Sequence, residues 1–348
     1  MNDYKGKTIF VGIDVHKKTY AVTAISEGRL IKRDVLSANP AILIAYLQKK
    51  YSSGNIITAY EAGFCGFHLH RALEKAGIKN IVVHAASLEV SNSRVKTDAR
   101  DSLKIAQQLA EGRLRCVYIP SPEQEDRRTV SRLRDTFASE KVRIGNQIKS
   151  LLYLHGLIAD NDSKKVCEKW IEKISALSLM PGLKFSIELL CRAWLEYNSK
   201  IKEIEEELDK QVEVDQEIDQ IYQSAPGIGK TSARILSNEL GDLSQFKNER
   251  QLFSYIGLTP SEHSSGDRIR QGHITKQGKP LIRKILVQSA WTAIRYDKGL
   301  KQVFDRIRNR AGGKKAIIGI ARRLIGRLRA CLKVKIEYKF THYEKIAA

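Results

Sequence analysis

The stretch from Thr8 to Leu36, TIFVGIDVHKKTYAVTAISEGRLIKRDVL, decides the fold of the N-terminal part. TIFVGID (Thr8 to Asp14) and TYAVTAI (Thr19 to Ile25) are short apolar runs rich in β-branched residues. Ser26-Glu27-Gly28 then turns the chain into a third run around Leu30 to Leu36. Runs of this length bounded by turn residues read as three consecutive strands joined by tight turns. Outward from them, Asn39-Pro40 opens a helix to about Lys50, with Ala41, Leu43, Ile44 and Leu47 on one side. Ile56 to Glu61 reads as a fourth strand, Phe67 to Ala76 as a helix ended by Gly77, and Asn80 to His84 as a fifth strand. A further helix runs from Thr97, its expected N-cap, to Ala110, with Gly112 just beyond. Three hairpin-linked strands followed by alternating helix and strand is the order of the ribonuclease H architecture. A parallel dinucleotide-binding sheet does not begin that way, and no GxGxxG is present. The expected class is therefore α/β for this part and mainly α for the rest.

Four carboxylates stand where such a fold gathers them. Asp14 ends the first strand and Glu61 the fourth; these strands are neighbours in the ribonuclease H order. Asp98 and Asp101 lie three apart at a helix start and share a face. Crowded carboxylates raise one another's pKa unless a cation neutralises them, and hard oxygen ligands suit Mg²⁺ or Mn²⁺. Taken singly, Asp98 also reads as an ordinary helix cap and Glu61 as a surface residue.

The 348 residues are enough for two domains and a connector. The net charge of +21 calls for a polyanionic partner. From Ser261 to Ala348 there are 22 Lys and Arg against six Asp and Glu, so most of the excess sits in the last quarter. The five cysteines are scattered without a CxxC pair, which argues against a disulfide framework or a zinc ribbon and for a reducing cytosol. No apolar run is long enough to span a membrane, and Met1 to Lys7 lack a signal-like apolar core, so a cytoplasmic location is expected.

Between these ends the pattern is helical and polar. Phe137, Ile144, Ile148, Leu151 and Leu152 fall near heptad spacing in a segment from Glu123 to about His155. Tyr197, Ile201, Ile204 and Leu208 do so in a second, from Trp194 to Tyr222. Two long helices are expected, pairing with each other or with another subunit as a coiled coil. The expected boundaries are 1–122 for the α/β domain, 123–222 for the helical connector and 223–348 for the basic C-terminal module.

That module opens with Ala225-Pro226-Gly227-Ile228-Gly229-Lys230, a helix-hairpin-helix-like turn whose glycines let backbone N–H groups approach a phosphate. A P-loop is excluded, because the first glycine of GxxxxGK[ST] falls on Ser224 and no strand precedes it. Gly227, Gly229 and Lys230 are candidate nucleic-acid contacts, as are Arg268, Arg270, Lys276 and Lys279 in the segment from Ser261 to Lys279, which reads as a loop. A serine hydroxyl in such a loop attacks phosphorus only when its proton is removed and nearby cations stabilise the developing charge. Spacing alone does not single out a nucleophile there.

Taken in order, the motifs resemble those of the DEDD-type insertion-sequence transposases related to the invertase Piv, the insertion sequence one-ten family of bridge-RNA-guided recombinases. Val11-Gly12-Ile13-Asp14-Val15, Tyr60-Glu61-Ala62-Gly63 and Lys96-Thr97-Asp98-Ala99-Arg100-Asp101 look like the family's D, E and DxxD motifs in a RuvC-like domain. Pro226-Gly227-Ile228-Gly229, Gly257-Leu258-Thr259-Pro260, Ser265-Gly266 and Ile274-Thr275-Lys276-Gln277-Gly278 look like its second transposase domain. The resemblance implies that Asp14, Glu61, Asp98 and Asp101 bind the divalent metal. It implies that Ser265 forms a phosphoserine link to DNA, working with the acidic site of another subunit. It also implies that a structured bridge-type guide RNA selects donor and target DNA, and that the chain assembles into dimers and a tetrameric synaptic complex. Ser264 lies beside Ser265, and the motif match alone chooses between them.

Two other readings stay open. A RuvC-like structure-specific endonuclease would keep the acidic site and make Ser265 a loop residue; a tyrosine nucleophile, Tyr255 or Tyr296, is a weaker variant without a supporting motif. A nucleic-acid-binding scaffold would use the carboxylates only to bridge charge. The acidic quartet separates enzyme from scaffold, and a covalent adduct separates recombinase from nuclease.

Overall fold

The computed structural model describes residues 4–84, 98–158, 165–211, 215–262 and 271–340. The chain divides into two compact units, Met1–Ile119 and Pro120–Ala348.

The first unit is built on a five-stranded sheet: β1 (Thr8–Val15), β2 (Thr19–Ser26), β3 (Arg29–Ser37), β4 (Asn55–Glu61) and β5 (Lys79–Val83). Their order is β3-β2-β1-β4-β5; the first three are antiparallel, and β4 and β5 run parallel to β1. This is the ribonuclease H strand order that the opening stretch predicts. Odd-numbered β1 positions, Ile9, Val11 and Ile13, pack under α1 (Pro40–Lys50) and α2 (His68–Lys75) with Leu43, Leu47, Leu69 and Leu73. The opposite face receives α3 (Asp98–Ala110), whose Ile105 and Leu109 pack on Ala59, Phe10 and Ile57. Asn39 caps α1, its side chain accepting from the Ala41 N–H at 2.8 Å. The expected cap Thr97 lies outside the described residues.

In the second unit α4 (Pro122–Leu154) lies along α6 (Pro181–Lys210), with α5 (Glu168–Ser175) covering one end. Ile144, Ile148 and Leu152 meet Ile187, Cys191 and Trp194 in one cluster, and Phe137 sits edge-on to Tyr197. The two long helices thus pair within the chain. The helix expected over Trp194 to Tyr222 is corrected: α6 starts at Pro181, and a separate α7 (Gln216–Ser224) follows it. Apolar periodicity runs back through Leu190, Ile187 and Leu183, while Asp215, Gln216 and Glu217 offer no apolar seam to carry the helix through.

Helices α8 (Lys230–Leu240), α9 (Glu249–Ile256), α10 (Pro280–Tyr296), α11 (Lys298–Ala311) and α12 (Gly313–Val334) share one large core with α7. A buried polar junction ties this core to α4. Arg128 donates to the backbone oxygens of Asn238 and Glu239, and Arg132 grips the buried Glu239 carboxylate at 2.7 and 3.1 Å. The segment expected as a loop from Ser261 to Lys279 contains a short antiparallel hairpin, β6 (Pro260–Glu262) with β7 (Gln271–Ile274). Among the described residues no helix is long and apolar enough to cross a membrane.

Candidate metal centre and nucleic-acid surface

The parallel register that pairs Ile13 with Tyr60 brings Asp14 and Glu61 next, one residue further along neighbouring strands. Side chains alternate along a strand, so Asp14 points away from the Ile13 face and toward α3. The approach of α3 depends on Gly12. A Cβ at Gly12 would lie 2.0 Å from the Ser102 carbonyl oxygen and 2.5 Å from the Ala106 nitrogen, so any other residue would push the helix off the sheet. With that contact made, the first turn of α3 delivers Asp98 and Asp101 to the end of β1.

At that point His16 Nε2 lies 3.2 Å from Asp14 Oδ2 and 3.3 Å from Asp98 Oδ2. Asp14, His16 and Asp98 together offer three ligand atoms within 4.8 Å of one another. The His16 N–H donates to Thr19 O at 2.9 Å, so strand pairing continues past Val15 and His16 shares the face of Asp14. Asp14 is largely shielded from solvent. Burial pushes its carboxyl above the usual range; Asp98 and Asp101 push the same way, and His16 opposes them. Glu61, exposed at the end of β4, and Asp101 stand outside the three-residue cluster.

Two carboxylates and an imidazole brought within reach of one another, with burial penalising the charge of Asp14, fit a divalent cation. The sequence reading missed His16. Its signal was the spacing Asp14-x-His16, two positions apart on one strand face.

The remaining candidates lie in the second unit. Gly227 has φ +83°, and a Cβ there would lie 2.7 Å from both the Ser289 oxygen and the Thr292 side chain; Ser289 Oγ donates to Gly227 O at 3.0 Å. The turn before α8 is thus pressed onto α10. Gly229 begins α8 with open space around it, and Lys230 pairs with Asp209 at 2.7 Å. Lys276 is exposed, with a left-handed backbone at φ +55°. Lys279 is partly buried, and burial pulls its ammonium pKa down against the pull of Glu239. Ser264, Ser265, Arg268 and Arg270 lie outside the described residues.

The base of the hairpin that carries them is closely fitted. A Cβ on Gly257 would lie 1.9 Å from Gln277 O, and one on Gly278 would lie 1.9 Å from Tyr255 O. Both glycines have positive φ, +74° and +92°. Arg283 Nη1 donates to Ile256 O at 2.8 Å, and Thr275 N–H donates to Thr259 O at 2.8 Å. The two motif glycines therefore bring the Gly257-Leu258-Thr259-Pro260 turn against the Lys276-Gln277-Gly278 turn.

The first unit thus combines a ribonuclease H-like strand order with a cluster at the β1 end that could hold a cation. Comparison with known proteins narrows this. Residues 11–155 match the DEDD transposase model of the IS110 group, and residues 219–305 match the model of the transposase IS116/IS110/IS902 family. The chain is 27% identical to the transposase for insertion sequence element IS1111A of Coxiella burnetii, over 83% of this chain and 78% of that one. It is 28% identical to a putative transposase of Sinorhizobium fredii, over 91% and 90%, and 24% identical to the transposase for IS1533 of Leptospira borgpetersenii, over 82% and 85%. The chain belongs to the IS110 family of transposases.

Proposed function

We propose that this chain is the transposase of an insertion sequence and acts on donor and target DNA, with Asp14, Glu61, Asp98 and Asp101 holding Mg²⁺ or Mn²⁺. The observation that carries the reading is the convergence of Asp14 and Asp98 on His16 at the end of β1, with Glu61 on the neighbouring strand and Asp101 in the same helical turn. A bound divalent cation would neutralise the phosphodiester and stabilise charge at the oxygens that attack and leave. The carboxylates position that charge, and Gly12 sets their spacing by fixing α3 on β1.

The finer proposal is a phosphoserine intermediate at Ser265. Its hydroxyl oxygen bonds to phosphorus as the bond from phosphorus to a deoxyribose oxygen breaks, and a hydroxyl of the partner DNA later reverses the exchange. Such a link conserves the energy of the phosphodiester, which hydrolysis discards. Support comes from the Ser265-Gly266 motif and from the glycine-fitted base of β6 and β7. A bridge-type guide RNA, and assembly into a dimer or tetramer through the helical connector, complete the proposal; both rest on the resemblance of the motifs. A RuvC-like nuclease without a covalent step is the second reading, favoured by the DEDD model over residues 11–155.

The test is a denaturing gel of protein incubated with labelled DNA, a divalent cation and the non-coding RNA of the element. Wild type is expected to give an adduct, and Asp14→Ala and Ser265→Ala none. Mixing these two variants restores cleavage if different subunits supply the two groups. An adduct that persists in Ser265→Ala removes this serine. Cleavage without any adduct establishes the nuclease reading.

A further inference from the structure

The C-terminal core contains a cleft of about 810 Å³ that the acidic site does not use. Its floor is apolar, formed by Leu258, Ile274, Ile307 and Ile318 around the indole of Trp291. Its rim is basic: Lys276, Arg310, Lys314, Lys315 and Arg322, with no carboxylate among the lining residues. Many basic side chains elsewhere in this unit sit on acids, as Lys301 does on Asp305 and Lys335 on Glu217. Among the described residues Lys276, Arg310, Lys314 and Lys315 have no ion-pair partner. Four like charges around one cleft repel each other until an anion enters.

Trp291 is the feature that selects the anion. The other two tryptophans, Trp170 and Trp194, are 9% and 3% exposed, whereas Trp291 is 45% exposed, braced edge-on by Phe304 at 5.7 Å. An exposed indole costs solvation free energy unless a flat apolar group covers it. A flat group accompanied by closely spaced negative charge describes a nucleobase on its phosphate backbone. A stacked base inside a duplex does not offer its face, so the occupant is unpaired. No side chain caps the start of α12, so its first-turn N–H groups open beside Lys314 and Lys315 and add donors for a phosphate.

The cleft is also lined by the strand that follows the proposed reacting segment in the sequence. Gly272, His273 and Ile274 of β7 line it, and β7 is one arm of the hairpin whose connection, residues 263–270, includes Ser264 and Ser265. Lys276, held at φ +55° in a sparsely populated conformation for a non-glycine residue, projects from the turn that follows. A nucleotide in the cleft is thus close along the chain to the segment proposed to react with DNA, which favours a DNA strand over RNA.

We propose that this cleft binds an unpaired deoxynucleotide, its base stacked on Trp291 and its flanking phosphates held by Lys276, Arg310, Lys314 and Lys315. The proposal rests on the DNA-transposase reading and adds to it a site for a nucleotide extruded from the duplex.

Indole fluorescence of the full-length protein reads this directly, because the exposed tryptophan dominates quenching by an added base. Titration with a short single-stranded oligodeoxythymidine is expected to quench the emission, with little effect from a blunt duplex of equal length. Trp291→Phe should lose the quenching while keeping an aromatic floor. Trp291→Ala should weaken single-strand binding, measured by anisotropy, by about tenfold. Lys314→Glu combined with Lys315→Glu should lower the slope of log affinity against log salt by about one to two units. Equal quenching by duplex, or quenching by an RNA oligomer only, overturns the proposal. So does unchanged affinity in the folded Trp291→Phe, Trp291→Ala and double-lysine variants. If Asp14→Ala abolishes cleavage and yet Trp291 gives no signal, the cleft reading fails while the transposase reading stands. If Trp291 responds and cleavage needs neither Asp14 nor a divalent cation, the reverse holds.

Discussion

The hydroxyls of Thr23 on β2 and Ser102 on α3 meet at 2.8 Å in a fully buried contact, 79 residues apart in sequence. It is a polar tie between the sheet and the helix that carries Asp98 and Asp101. Removing one partner leaves the other buried without it, which costs about 1–2 kcal/mol. Thr23→Val and Ser102→Ala are each expected to lower stability by that amount in chemical denaturation. The double variant should lose less than the sum of the two; strict additivity would mean that the hydroxyls do not interact.

Gly12→Ala is expected to do more damage to function than a single methyl suggests. The added carbon meets backbone atoms of Ser102 and Ala106, which yield only if α3 moves. The cost in stability is about 2–3 kcal/mol, in the range for overpacking a tight contact. DNA cleavage should fall at least tenfold even at temperatures where the variant is fully folded. Wild-type cleavage by folded Gly12→Ala would show that the position of α3 does not set the site.

Divalent cations should stabilise the protein through the same carboxylates. Burial raises the Asp14 carboxyl against the pull of His16, and Asp98 and Asp101 add to the rise, so ionised Asp14 is held at a cost that a cation would remove. Millimolar Mn²⁺ or Mg²⁺ is expected to raise the melting temperature of wild type and to leave that of Asp14→Asn combined with Asp98→Asn unmoved. Excess chelator should abolish strand cleavage. An equal thermal shift in the double variant would place the cation elsewhere.

Gly257→Ala and Gly278→Ala each introduce a side chain into a left-handed backbone and within 1.9 Å of a carbonyl oxygen. Strain and clash together are expected to cost about 2–4 kcal/mol. The hairpin base is their shared target, so strand exchange should be lost in variants that still bind Mn²⁺ as wild type does. Retained exchange in either variant would argue against a fixed hairpin base.

His70 gives the first unit a pH response. Asn80 Oδ1 accepts from Thr58 Oγ1 at 2.7 Å, so the Asn80 amide nitrogen faces His70 Nδ1 at 2.9 Å as a donor, and the ring must accept there. Burial lowers the His70 pKa, and Glu74 only partly offsets this. A base held neutral by the fold contributes its full stability above the unfolded value of about 6.5 and loses it as pH falls through the lowered folded value. Wild type is therefore expected to lose melting temperature between pH 7 and pH 5 more steeply than His70→Gln. Parallel curves would remove His70 from the account.

Much of the first unit is fixed by local pattern. The apolar runs from Thr8 to Leu36, Asn39-Pro40 at the head of α1 and Gly77 after α2 act through nearest-neighbour chemistry, and they set the strand order and the places of Asp14 and Glu61. The charge of the last quarter is likewise a property of composition. Tertiary structure alone decided the rest. His16 joins Asp14 and Asp98 because Gly12 admits α3 to the sheet, a close approach whose partner helix the local sequence around Gly12 does not name. The start of α6 at Pro181 has local signals, a proline in the first turn and the periodicity through Leu183, Ile187 and Leu190, whereas its partner α4 is fixed only by packing. Lys230 is paired with Asp209, whereas Lys314 and Lys315 have no ion-pair partner among the described residues; the sequence makes all three look alike. Trp291 is one of three tryptophans in the sequence, and only the packed chain leaves it exposed and lining the cleft while Trp170 and Trp194 are buried. Backbone propensity and periodicity act over a few residues, whereas sites are made by contacts between segments many tens of residues apart, whose distances only the packed chain determines.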